Sequence, residues 1–213
     1  MKFPIFTSFI IFVLVTQFVL RRSNRREHEA DDEFWERERL ANSSRKKPMD
    51  DLSFISIPLE KLPFGAAEDD VEASAQEQVI RALSADENGE WSRIVNLTGI
   101  SNTDLKLRYG AANLERLIYY DQNFTSLVTS LQAWGNALMR LGLYREAETV
   151  LSYAVSIGTD VTSTYSDLIE LYSEHLGLSD AERHERIAAL LPTAEALQSL
   201  SRDKVVSLIR ERL

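Results

Sequence analysis

Between Phe124 and Leu141, eight apolar or small residues (Phe124, Leu127, Val128, Leu131, Trp134, Gly135, Leu138 and Leu141) fall at offsets 0, 3, 4, 7, 10, 11, 14 and 17. A helix of 3.6 residues per turn brings all eight to one face, whereas a strand would divide them between two. Gly142 ends the run, and Ala147, Val150, Leu151 and Ala154 then repeat the spacing at 0, 3, 4 and 7. The expected arrangement is two amphipathic helices bent around Gly142, each burying its stripe against other helices.

The same period recurs on both sides. A helix is expected over about 66–84, with Val71, Ala75, Val79 and Leu83 four apart and Glu68, Asp69 and Asp70 in its first turn, where acids complement the helix dipole. "ENG" at 87–89 should break it, and a short turn around Trp91, Ile94 and Leu97 follows. Leu107, Gly110, Ala111, Leu114 and Ile118 form another single face. Beyond the hairpin, Tyr165, Leu168, Ile169 and Tyr172 repeat the 0, 3, 4, 7 pattern before a break at Gly177. Ser179 and Glu182 have the spacing of a capping box, Pro192 suits a first helical turn, and Val205, Leu208, Ile209 and Leu213 make a closing helix. The longest alternating stretch lies in residues 51–65, so the expected fold class is all-α, with residues 66–213 as one helical domain.

The amino end obeys different rules. Residues 3–20 are uncharged and predominantly apolar, and as a helix they would span roughly 27 Å, close to the thickness of a hydrocarbon layer. A cleavable signal peptide would place small residues after such a run, but "FVLRRSNRR" stands here, so residues 1–26 are expected to be a transmembrane anchor with a basic flank. Only Lys2 precedes the run, whereas Arg21, Arg22, Arg25 and Arg26 follow it. The positive-inside rule then places the N-terminus outside and residues 21–213 in the cytoplasm, at the cell (inner or plasma) membrane. In that compartment the sequons at Asn42, Asn96 and Asn123 are chance matches.

Residues 27–65 join the two parts. "RREHEADDEFWERERL" alternates in charge around Phe34, Trp35 and Leu40, as a solvated helix with pairs such as Glu33 and Arg37 would. The adjacent aromatics are expected to meet either the membrane surface or the folded domain. In "DLSFISIPLEKLPFG", Pro58 and Pro63 forbid a regular helix and a central strand, so this stretch is expected to be an extended apolar strap lying on the helical domain.

Composition excludes several functions. A chain of net charge −9 that is +5 over residues 1–26 is −14 over the remainder, which phosphate backbones would repel, so no nucleic-acid partner is expected. Without cysteine there is no disulfide, thiol nucleophile or thiolate site. His28, His175 and His184 lack a second ligand at metal-binding spacing, and no phosphate-cradling loop, nucleophile elbow or dinucleotide fingerprint occurs. No metal, no cofactor and no catalytic residue is therefore expected, and an enzyme is the least favoured class.

A shift of 34 residues carries Leu131, Trp134, Gly135, Leu138, Ala147 and Ala154 onto Tyr165, Leu168, Ile169, Tyr172, Ala181 and Ala188. With Gly142, Tyr144 and Leu151, residues 128–161 resemble a tetratricopeptide repeat unit, except that Thr159 stands where the family has its terminal Pro. Residues 162–195 resemble a degenerate second unit, in which Ile169 replaces Gly and Gly177 lies one place late. The segments "LTGISNTDLKLRYG" and "IPLEKLPFG" are also similar to uncharacterised membrane-anchored repeat proteins of Gram-positive gut bacteria, a likeness that supplies no function.

The resemblance implies a short α-solenoid whose first helices line a peptide-binding groove. Position by position, that groove would contain Thr129, Gln132, Asn136, Met139 and Arg140 from one unit and Ser163, Ser166, Asp167, Glu170 and Glu174 from the next. The acids favour a basic or neutral segment. The expected function is a membrane-anchored platform for protein interaction. The alternative is a structural helical module that associates with itself or with another membrane protein.

Overall fold

In a computed structural model of the protein, residues 12, 16, 17, 31–85 and 89–213 are described. The apolar run at 3–20 lies almost wholly outside them, and among the described residues no helix is long and apolar enough to cross a membrane. Among the same residues the regular structure is helical throughout, with no strand. The chain forms two compact units, one comprising residues up to Lys47 with Ser101–Leu114, the other Pro48–Ile100 with Glu115–Leu213.

In the first unit, residues 31–42 form α1 and Asn102–Tyr109 form α3. The pairing expected between Glu33 and Arg37 is replaced by an ion pair from Arg37 to Asp104, while Lys106 meets Glu38 at 2.9 Å and Thr103 donates to Glu38 at 2.6 Å. The Lys47 amide donates to the Tyr109 carbonyl and the Ala111 amide to that of Ser44, so residues 44–47 run along the end of α3. The expected face from Leu107 to Ile118 is not one helix. Gly110 ends α3 at φ 90°, ψ 145°, and a single 3-10 turn, Ala111–Asn113, separates it from α4, Leu114–Arg140. Its glycine admits the Arg45 carbonyl, which a Cβ would meet at 2.2 Å.

In the second unit, α4 continues through Asp121 and Asn123 and joins the two helices expected on either side of them. These polar residues point at the preceding loop: Asp121 accepts from the Leu97 amide, and the Asn123 amide donates to the carbonyls of Trp91 and Arg93. Asn96 likewise donates to the Gly158 carbonyl. α5, Tyr144–Ser156, folds back on α4 around Gly142, which has φ 76°. The Leu143 amide donates to the Leu138 carbonyl and satisfies one of the orphan acceptors at the helix end. Leu131, Trp134, Leu138, Ala147, Leu151 and Ala154 are all fully buried, and Gly135 lies against Leu151. Thr159, at the place of the missing Pro, is fully buried, and its carbonyl accepts the Tyr165 hydroxyl at 2.9 Å.

α6, Thr162–Glu170, packs on α5 and runs into a π-helical turn, Leu171–His175. A π turn holds one residue more than an α turn, so it absorbs the residue that puts Gly177 one place late. The pairing after it departs from expectation. α7, Asp180–Ala188, starts with the expected capping box of Ser179 and Glu182. Ala181 on it is exposed, however, and Ala188 is only half-buried, so neither alanine marks a close helix contact. α7 packs on the π turn that continues α6, while α9, Arg202–Arg210, packs on α6 itself and buries Val205 and Ile209 completely, with α8, Leu191–Glu195, beside it.

α2, Val71–Ser84, also corrects an expectation. Asp70 accepts from the Ala73 amide and so starts the helix five residues later than about 66. Val71, Ala75 and Val79 are exposed, and the buried stripe is Ala73, Glu77 and Ile80. Glu77 can lie in that stripe because both its oxygens accept from the Gly65 amide at 3.0 Å. The strap is extended apart from a 3-10 turn at Leu59–Lys61. It buries Ile57 and Leu62, sets Phe64 5.0 Å from Trp134 between ring centroids, and takes a hydrogen bond from Tyr153 to the Ser56 carbonyl.

Candidate functional site

Gln132, Asn136 and Arg140 are spaced by four residues on α4 and so share one stripe, each about one turn from the next. Each end of the stripe meets acids from another helix. At the first, the Gln132 amide donates to Asp167 on α6 at 2.6 Å and to the Asn136 side-chain oxygen at 2.9 Å, while the Thr164 hydroxyl donates to the Gln132 oxygen at 2.5 Å. At the other, Arg140 donates to Glu72 at 2.7 Å and to Asp70 at 3.0 Å, both from the start of α2. Asn136 lies between them, exposed, and its amide nitrogen makes no hydrogen bond among the described residues.

The ten expected groove residues divide by environment. Thr129, Asn136, Arg140, Ser163, Glu170 and Glu174 are exposed, and Met139, Ser166 and Asp167 are half-buried. Gln132 is buried, so it holds α4 to α6 and is not itself a contact surface. Ser166 returns its hydroxyl to the Ser163 carbonyl, a local bond within the first turn of α6. Glu170 approaches the His175 ring at 3.4 Å, and that ring stacks on Tyr144 with centroids 4.1 Å apart. The strap's hydrogen bonds and ring contacts include those to Glu77, Ile94, Tyr120, Trp134 and Tyr153, and Asn136 stays open to solvent. Asp70, Glu72 and His175 border this surface, and the fully buried Thr164 supports Gln132 beneath it; none of the four is among the expected residues. Asp70 and Glu72 are distant from Arg140 in sequence, and no local pattern reports such a pairing.

The carboxylates at the two ends are held differently. Asp70 lies below the ordinary carboxylate range, chiefly because the Ala73 amide donates to it and then because of Arg140. Asp167 lies above that range because its burial disfavours the charge, with Glu170 adding repulsion and Gln132 opposing both. Folding therefore favours protonated Asp167. Its ionisation costs stability fully above the raised folded value, and that cost vanishes as pH falls below the ordinary carboxylate value. Asp167→Asn keeps an acceptor for Gln132 and should raise stability at pH 7 by about 0.5 kcal/mol, roughly 1–2 °C. Thermal melts of both proteins from pH 7 to pH 3 should converge as pH falls, and a constant difference would contradict the assignment.

Among the described residues, no group of three or more His, Asp or Glu side chains is placed to hold a metal ion. What the stripe offers is an exposed amide, suited to a peptide main chain, between negative flanks. No protein-family model matches the chain, and neither a curated protein nor a solved structure matches it.

Proposed function

We propose that the protein is a membrane-anchored interaction platform whose tetratricopeptide-like helical domain binds a peptide or protein segment in the cytoplasm. The reading rests on one observation: Asn136 is exposed in the middle of a stripe whose ends are tied to acids of α2 and α6. An amide can donate to a main-chain carbonyl whatever the ligand's side chains are, and the acids beside it favour basic or neutral ones. The anchor is residues 3–20, and the basic flank behind it directs the domain to the cytoplasmic side.

The test is affinity capture with the full-length protein from its own membranes, comparing the natural sequence with Asn136→Ala and Glu170→Lys. Both positions are exposed, so folding should be unchanged. Recovery of a bound protein should fall about three- to tenfold for Asn136→Ala, the cost of one hydrogen bond, and further for Glu170→Lys. An unchanged set of captured proteins would remove the groove from consideration.

A second reading, a structural module that assembles with another membrane protein, is favoured by Phe34 and Trp35. These neighbours on α1 are 53% and 67% exposed, their rings edge to face at 5.3 Å.

A further inference from the structure

Arg140 is the one cation among the ten expected groove residues, and alone it would attract carboxylate or phosphate groups. Its guanidinium is already engaged: one nitrogen donates to Glu72 at 2.7 Å and another to both oxygens of Asp70 at 3.0 and 3.3 Å. Asp70 does not depend on Arg140 for its place, because it caps α2 through the Ala73 amide at 2.9 Å. Two carboxylates against one guanidinium leave this end of the stripe at −1, and Asp167 and Glu170 add negative charge at the other.

We infer that Asp70 and Glu72 set the charge preference of the groove: they occupy Arg140 from within the chain, and the segment bound is an extended peptide bearing Lys or Arg side chains. The inference rests on the groove reading above and goes further by naming the ligand's charge and the residues that select it. An anionic segment would have to displace two carboxylates from Arg140, whereas a cationic one meets the uncompensated charge directly. Arg140 and Glu72 are exposed and Asp70 is half-buried, so both effects are open to solvent and weaken as salt rises.

The test uses the full-length protein in uncharged detergent and two fluorescent ten-residue probes of Gly and Ser, one carrying three Lys and the other three Glu. Fluorescence anisotropy should show the Lys probe binding at least about tenfold more tightly. The double variant Asp70→Asn, Glu72→Gln keeps the helix cap, and should shrink that preference about tenfold by weakening the Lys probe and admitting the Glu probe. Adding Arg140→Gln should withdraw the gain for the Glu probe. Arg140→Gln alone frees both carboxylates and should tighten the Lys probe about three- to fivefold, a second measure independent of the double variant's folding. An unchanged ratio between probes in the double variant, or an unchanged Lys probe in Arg140→Gln, overturns the inference. The groove reading survives that result if Asn136→Ala still weakens the Lys probe. If the Lys probe binds no form of the protein, both fall.

Discussion

Gly135→Leu is expected to lower the stability of the second unit by at least about 3 kcal/mol, because the added atoms have no space to enter. A Cβ at Gly135 would already come within 2.4 Å of a Leu151 methyl and 2.7 Å of its Cγ. Leu151 is fully buried, as are Trp134, Leu138, Ala147 and Ala154, so it cannot swing aside into solvent. The accommodation would have to be a separation of α4 from α5, which loses contacts along the whole hairpin. Gly135→Ala separates the competing effects: helix propensity favours Ala by about 1 kcal/mol, and the clash opposes it by about 1–3 kcal/mol, leaving a small net loss. Thermal melts should show a drop of roughly 6–12 °C for Leu and of only a few degrees for Ala. A Leu variant melting with the natural protein would mean that α4 and α5 are not closely packed at this point.

The α4/α5 hairpin was legible because spacing, turn and small residues all agreed, and each was local. α2 was legible as a helix but not in register. Its buried stripe includes Glu77, which any count of apolar residues assigns to solvent, and the reason for its burial is the Gly65 amide outside the helix. A fixed 34-residue shift places Ala181 and Ala188 at helix contacts, but beyond the π turn at Leu171–His175 the first buried positions are Ile187 and Leu190, and no shift by one residue carries both alanines onto buried positions. In the candidate site, the side chains of Gln132, Asn136 and Arg140 could be placed on one face, because that follows from their spacing on α4. Their partners could not: Asp167 belongs to another helix, and Asp70 and Glu72 precede Arg140 by 70 and 68 residues. Whether Arg140 is available to a ligand depends entirely on those distant acids.

The elements that flank α4, α5 and α6 show how their apolar faces are covered. Helical hairpins stacked in a row leave a bare apolar face at each end, and few units give little core to compensate. Here α4 and α5 are covered by the strap, through Phe64 against Trp134 and Tyr153 on the Ser56 carbonyl. α6 is covered by α9, whose Val205 and Ile209 are fully buried. The strap's two prolines suit this task, since it needs no ladder partner and its side chains supply the burial. These covering elements leave the polar stripe through Asn136 uncovered.

Gly110→Ala is the second large effect, and it should act on the first unit. At φ 90°, ψ 145° the backbone is in a region essentially confined to glycine, where another residue costs about 1–3 kcal/mol. A Cβ there would also meet the Arg45 carbonyl oxygen at 2.2 Å, its carbon at 2.7 Å and the Lys46 Cα at 2.7 Å. All three are backbone atoms, so no rotamer change relieves the clash and residues 45–46 must move away. The bonds that hold this stretch to α3 are the Lys47 amide to the Tyr109 carbonyl, the Ala111 amide to the Ser44 carbonyl, and the Asn113 amide to the Lys47 and Tyr109 carbonyls. Their loss should be local. Hydrogen exchange on the full-length variant should show the Lys47 and Ala111 amides losing protection by at least about 2 kcal/mol, roughly thirtyfold, while Leu138 and Leu151 keep theirs. Protection unchanged at Lys47 would refute the close approach of residues 45–46 to Gly110. A general loss that includes Leu151 would show instead that the first unit is not independent of the second in stability.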